Sequence, residues 1–137
     1  MVKFRAEAVQ STQDDPVMQF VQCLLHSVTN AHILHFQTPS FSEHMALGTF
    51  YGEIGDHVDD FVEAFQGKYG LLTKYQADYK LPPSEPVEYL NYLKDEVATL
   101  RREPKFPQDS ELQNITDEIA SLIDGADTTR PSRTIAT

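Results

Sequence analysis

The sequence predicts an all-α fold: a four-helix bundle whose second and third helices are joined by one long crossover. Three observations carry this. Four stretches repeat apolar residues at three- and four-residue steps, the period of an amphipathic helix. Each stretch opens on a capping or proline signal. No hairpin dipeptide and no internal repeat competes with them.

The first helix is expected over residues 15–37. Asp15-Pro16 combines an N-cap side chain with a proline in the first turn, and Val17, Phe20, Val21, Leu24, Val28 and Ala31 follow as a stripe before Thr38-Pro39 ends it. After a short break Ser42 is the expected cap of a second helix. Its stripe is Leu47, Tyr51, Ile54, Val58, Phe61 and Phe65, and it stops at Gly67 or Gly70. So short a link makes the first two helices antiparallel neighbours. Residues 68–84 hold aromatics without a long period and read as a packed crossover, with room for a short helix of its own. Ser84-Glu85-Pro86 opens the third helix, with Val87, Leu90, Leu93, Val97 and Leu100 inward and the Arg101-Arg102 pair suiting its C-terminus. Asp109 or Ser110 caps the fourth, whose stripe Leu112, Ile115, Ile119, Leu122 and Ile123 stops at Gly125. Helices in this order, with a single long crossover, describe a ferritin-like bundle. The domain is placed at 15–126, between a flexible N-terminal arm, 1–14, and a flexible C-terminal tail, 127–137.

At 137 residues the chain is one domain, long enough for a core without disulfides. Its net charge is −10, so a general DNA-coating role, which rests on Lys and Arg displacing counterions, is not expected. A single cysteine, Cys23, and a start without an apolar leader point to the cytoplasm, and no apolar run reaches membrane-spanning length. Cys23 reads as packing, with no base motif beside it to make it a nucleophile.

All five histidines, at 26, 32, 35, 44 and 57, fall on the first two helices. A di-iron site inside one bundle uses Glu-x-x-His on two helices, and no glutamate here has a histidine three residues on. A within-bundle di-iron site is therefore disfavoured. On the second helix, at about 100° per residue, His44 lies about 60° from the centre of the apolar stripe and Asp59 and Glu63 about 120–160° from it, on the same side. The two carboxylates share an outward face where a metal would meet ligands from a second chain. Gly48, Gly52 and Gly55 lie between them and the stripe, each costing about 0.8–1 kcal/mol against alanine. Such losses fit the close approach of another backbone; a loosely built helix is the alternative. Glu53 and Asp56 form an acidic ridge nearby, either guiding cations or simply solvated. His26 and His57 are expected on outer, exposed faces.

The run His35-Phe36-Gln37, Phe41-Ser-Glu-His44, Phe50-Tyr51, Asp56-His57-Val58-Asp59 and Glu63 resembles the signature of the Dps mini-ferritins, a ferritin-like family. That signature reads His-Trp-Asn, a glycine-containing loop, Phe-x-x-x-His and, about four turns on, Asp-x-x-x-Glu. The interval from His44 to Asp59 and the step to Glu63 both match. The loop between His35 and His44 is three residues shorter than the family's, Phe36 replaces its tryptophan, and His32 sits one turn before His35.

The resemblance implies a ferroxidase centre at a two-fold dimer interface. His35 and His44 would come from one subunit and Asp59 and Glu63 from its partner. His32 is an alternative to His35, because His32 to His44 recovers the family's usual interval, or an additional ligand. Two imidazoles and two carboxylates suit Fe(II), and also Zn(II) or Mn(II). The implied activity is oxidation of Fe(II) by peroxide or dioxygen, with iron storage and oxidative protection in a homo-oligomeric shell. An arm with only Lys3 and Arg5 argues against the DNA binding of some members. The rival for the two histidines is a pair satisfied by hydrogen bonds at a helix-pair end. For the whole chain it is a ferritin-like structural or interaction module, for instance viral, without redox activity.

Overall fold

The structure, a computed structural model, describes residues 15–82 and 85–129. Among these residues it is all-helical: α1 (Pro16–Gln37), α2 (Phe41–Tyr69), α3 (Pro86–Leu100) and α4 (Ser110–Ala126). The expected N-terminal arm and residues 130–137 of the expected tail lie outside the described residues, as does Ser84 at the expected start of the third helix.

Local chemistry explains the boundaries. Asp15 caps α1 through a carboxylate that accepts from the backbone N–H groups of Val17 and Met18, with Pro16 in the first turn. The cap of α2 is Ser40 rather than the expected Ser42. Its hydroxyl accepts from Glu43 N–H, while Thr38 Oγ1 receives Ser40 N–H and donates to the Glu43 carboxylate. Ser40-x-x-Glu43 is thus a capping-box sequence. With it the link from α1 shrinks to residues 38–40. Gly70 ends α2 at φ 95°, a left-handed conformation that disfavours any side chain. Asp109 stands at the cap of α4 without capping it. Its carboxylate instead accepts from Tyr69 Oη at 2.6 Å and Lys68 Nζ at 3.3 Å, tying the end of α2 to the start of α4.

That latch carries a pH signature. The Tyr69 hydroxyl, and then the Lys68 ammonium, hold the Asp109 carboxyl below its ordinary range. A carboxyl lowered in the fold stabilises it at pH above its unfolded value and stops doing so as pH falls through the folded one. The loss of urea resistance on Tyr69→Phe is expected to be present at about pH 6 and absent by about pH 2. A pH-independent difference between the two proteins would contradict this role for the latch.

Neighbouring helices all run antiparallel. Phe20 meets Phe61, and His35 meets His44, along α1 and α2. Lys68 pairs with Asp109, and His57 lies 3.7 Å from Glu118, along α2 and α4. Lys94–Asp124 and Arg101–Asp117 join α3 to α4. Asn30 Nδ2 donates to Tyr89 Oη between α1 and α3. Antiparallel contacts around the whole ring require α2 and α3 to be parallel, so the connection 70–85 must travel the length of the bundle. It does so along α1 and has no helix among its described residues. Gln22 and Gln76 form a reciprocal pair, side-chain amide to backbone, at 2.7 and 2.8 Å, and further along Tyr79 donates its hydroxyl to Asn30 Oδ1.

The interior is apolar. Phe20, Leu24, Leu34, Leu47, Phe50, Ile54, Phe61, Leu93, Leu112 and Ile119 are fully buried, and Phe106 enters from the α3–α4 turn. The buried polar side chains among the described residues are Ser27, Asn30 and Thr116. Ser27 and Thr116 return their hydroxyls to carbonyl groups of the preceding turn, and Asn30 joins the tyrosine contacts above.

Candidate functional site

The short α1–α2 link folds the two helices back on each other so that residues nine apart face across it. His35 Nδ1 lies 2.7 Å from the carbonyl oxygen of His44, and His44 Nδ1 lies 2.9 Å from the carbonyl oxygen of His35. A carbonyl can only accept, so each imidazole donates from Nδ1. In the neutral ring Nε2 then holds a free lone pair. The rings stack with centroids 3.7 Å apart and planes 20° apart. The reciprocal bonds fix tautomer and ring orientation together, as backbone partners of metal-binding histidines do. They also clamp the helix-pair end, which is the structural role anticipated for such a pair.

His32 sits one turn away with its ring on Tyr51, centroids 4.1 Å and planes 16° apart, and 6.2 Å from the His35 ring. It flanks the pair, whereas His35 meets His44 directly. Gly48 lies under His35: a Cβ there would come within 3.2 Å of Cε1 and 3.4 Å of Nδ1. Of the glycines singled out on α2, this one is explained within the chain. Gly48→Ala is expected to lower stability by about 1 kcal/mol, since overpacking costs about 1–3 kcal/mol and the gain in helix propensity is about 1. Urea unfolding of the variant, with the His35 ring resonances followed by NMR, checks both the sign and its origin.

Asp59 and Glu63 are exposed on α2, as the wheel predicts. Fifteen residues of helix, about 22 Å, separate His44 from Asp59, so one chain cannot bring the four side chains together. Among the described residues no group of three or more His, Cys, Asp or Glu forms a metal-holding cluster. Two of the α2 glycines, Gly52 and Gly55, have nothing within 4 Å of where a Cβ would stand. Phe36, Phe41 and Met45 are exposed around the histidine pair, at 72, 77 and 55%. Phe41 and Met45 share a wheel sector with Gly52, Asp59 and Glu63.

Other expectations shift. His26 is half-buried, its ring edge-on to Tyr79, because the crossover covers that face of α1. His57 is half-buried between α2 and α4, with its Nδ1 buried and, among the described residues, without a hydrogen-bond partner, the Glu118 carboxylate standing 3.7 Å away. Both had been expected on exposed faces; neither the path of the crossover nor the seat of α4 is visible in a single-helix wheel. Cys23 is half-buried, as a packing role requires. Burial, and then the nearby Glu96 carboxylate, push its thiol up to about 12. A thiol so disfavoured as thiolate is a poor nucleophile.

No curated protein and no solved structure matches the chain. One family model does, over residues 35–127, and so takes in His35, His44, Asp59, Glu63 and all of α2, α3 and α4. That span is more than half of the sequence, and the chain therefore belongs to DUF5856, a family of unknown function.

Proposed function

We propose that the protein is a ferritin-like, Dps-like iron-binding protein that takes Fe(II) as substrate at a two-fold dimer interface and oxidises it, with His35 and His44 from one subunit and Asp59 and Glu63 from the other. The observation that carries this reading is the histidine pair, whose Nδ1 atoms are both committed to backbone carbonyls and whose Nε2 atoms are left as donors. Two imidazoles are too few for a ferrous ion. Carboxylates are the hard donors that favour the ferric product, and the exposed pair on α2 supplies them. The length-spanning crossover and the antiparallel ring of helices support the ferritin-like comparison.

A two-fold axis supports the pairing of residues. Antiparallel packing of α2 on the partner's α2 sets His44 opposite the Asp59–Glu63 turn when the axis passes beside Gly52, midway between them in sequence. Gly52 is a place with open space where a Cβ would stand. Phe41 and Met45 would then be covered, and an isologous interface repeats the site twice per dimer. The acidic ridge of Glu53 and Asp56 beside it would draw cations. Whether dimers close into a shell is read directly by light scattering.

This geometry gives Gly52→Ala opposite effects on folding and assembly. In the single chain the helix gains about 0.8–1 kcal/mol. At the axis the added methyl separates the two backbones. The expected outcome is higher resistance to urea at low protein concentration together with weaker dimerisation in analytical ultracentrifugation. Unchanged or tighter association would remove Gly52 from the interface. The site itself is tested by anaerobic Fe(II) titration, in which the parent is expected to bind at two equivalent interface positions per dimer. Absence of saturable binding would leave the rival reading, an interaction module in which the histidine pair is a clamp and Phe36, Phe41 and Met45 form the contact surface.

A further inference from the structure

We propose that the cavity enclosed by α1, α3 and the crossover is a binding site for a small organic cation, an alkylammonium group on an apolar body. The site is separate from the histidine pair and independent of the iron reading.

The cavity measures about 560 Å³, within the usual size of small-ligand sites. Tyr89 and Tyr92 line it, with Leu81 and Pro82 closing the crossover side. The Tyr92 ring is accessible, at 51% exposure, and Tyr79 stands just outside the lining, edge-on to His26. The Tyr89 and Tyr92 rings lie nearly parallel, centroids 6.1 Å and planes 24° apart, and present a common aromatic wall.

The hydroxyls in this wall are already engaged. Tyr89 accepts from Asn30, and Tyr92 hydrogen-bonds the Cys23 thiol. What the wall offers a ligand is therefore its ring faces, whose quadrupoles attract cations.

Charge selects the same class of ligand. Three carboxylates, Asp78, Glu88 and Glu96, line the cavity against one lysine, Lys80. Glu96 is half-buried and, among the described residues, has neither an ion-pair nor a hydrogen-bond partner. Burial holds its carboxyl above the ordinary range. A carboxylate that loses water without gaining a counter-charge is costly, and a bound cation offsets that cost. An anion would meet the reverse field, and a neutral molecule would leave Glu96 as it is.

The experiment is isothermal titration of the full chain with choline, with its neutral isostere 3,3-dimethylbutan-1-ol and with the anion 3,3-dimethylbutanoate. Choline is expected to bind saturably, at least about tenfold tighter than the alcohol, with no binding of the anion. Glu96→Gln and Tyr92→Leu are each expected to weaken choline about tenfold while far-UV circular dichroism stays unchanged, and Tyr92→Phe, which keeps the ring, is expected to bind like the parent. Protection of Cys23, the chain's one cysteine, from slow alkylation locates the ligand in this cavity. The proposal is overturned if choline gives no saturable heat, if the alcohol binds equally well, or if Glu96→Gln has no effect in a folded protein. None of these outcomes alters the Fe(II) titration, so the two readings fail separately.

Discussion

Mixing His44→Ala subunits with an equal amount of Asp59→Ala subunits is expected to restore about one quarter of the metal sites that each variant lacks alone, because random pairing makes about half of the dimers mixed and each mixed dimer has one intact site. Each homodimer has two damaged sites. In the mixed dimer one site joins the intact histidines of the Asp59→Ala chain to the intact carboxylates of the His44→Ala chain, and the other site carries both lesions. Anaerobic Fe(II) titration, before and after subunits are exchanged by mild denaturation and refolding, reads the stoichiometry directly. Losing one of the few donors of such a site is expected to weaken the metal by about 100-fold or more, since even a supporting hydrogen bond is worth about 10–100-fold. Recovery to about one quarter requires ligands contributed across the interface. If the mixture stays as weak as the homodimers, the interface assignment is wrong. If the single variants keep full stoichiometry, the histidine pair is a clamp and nothing more.

Phe61→Ala is expected to be the most damaging single change to the fold, at about 3–5 kcal/mol. Phe61 is fully buried, with its ring centroid 4.8 Å from that of Phe20 and 5.8 Å from that of Phe106; Phe20 and Phe106 are 5.2 Å apart. This triad joins α1, α2 and the α3–α4 turn at one end of the bundle, so its loss leaves a cavity that several elements line at once. Domains are stable by about 5–15 kcal/mol, so the urea midpoint should fall by a large fraction with little change in the slope of the transition. Phe36→Ala, at a ring 72% exposed, should lie within about 0.5 kcal/mol of the parent. A loss below about 1 kcal/mol for Phe61→Ala would show that the triad is not where the helices are held together.

The helices were legible because each states its own chemistry. Asp15-Pro16 at the start of α1, Gly70 at the end of α2 and the stripes between them require no partner to be recognised. The misplacement of the α2 cap is instructive: Ser40 and Ser42 are equally plausible by type, and only the fold of the link brings Thr38 and Glu43 round to support Ser40. Asp109 has the residue type of a cap, yet Tyr69 and Lys68 draw its carboxylate away. Phe50 lay outside the expected stripe and is fully buried, because α4 packs on that side of α2.

The candidate site divides in the same way. Periodicity alone put Asp59 and Glu63 on an outward face, since one helix suffices to define its own faces. That His35 and His44 share their Nδ1 protons with each other's backbone depends on how two helices cross, and no spacing rule contains it. Gly48 belongs to both levels. The sequence marked it as a costly glycine in a helix, and the tertiary structure supplied the reason, an imidazole resting where a Cβ would stand.

By itself the sequence determined the helices, their order, the one long connection and the acidic outward face, because these follow from local propensity and from a period that each segment carries within itself. Only the tertiary structure decided which nitrogen of each histidine stays free, where the crossover lies, and that Glu96 is left beside Tyr89 and Tyr92 without a counter-charge. Those outcomes rest on distances between segments far apart in the chain, which are set when the helices pack and are encoded in no single segment.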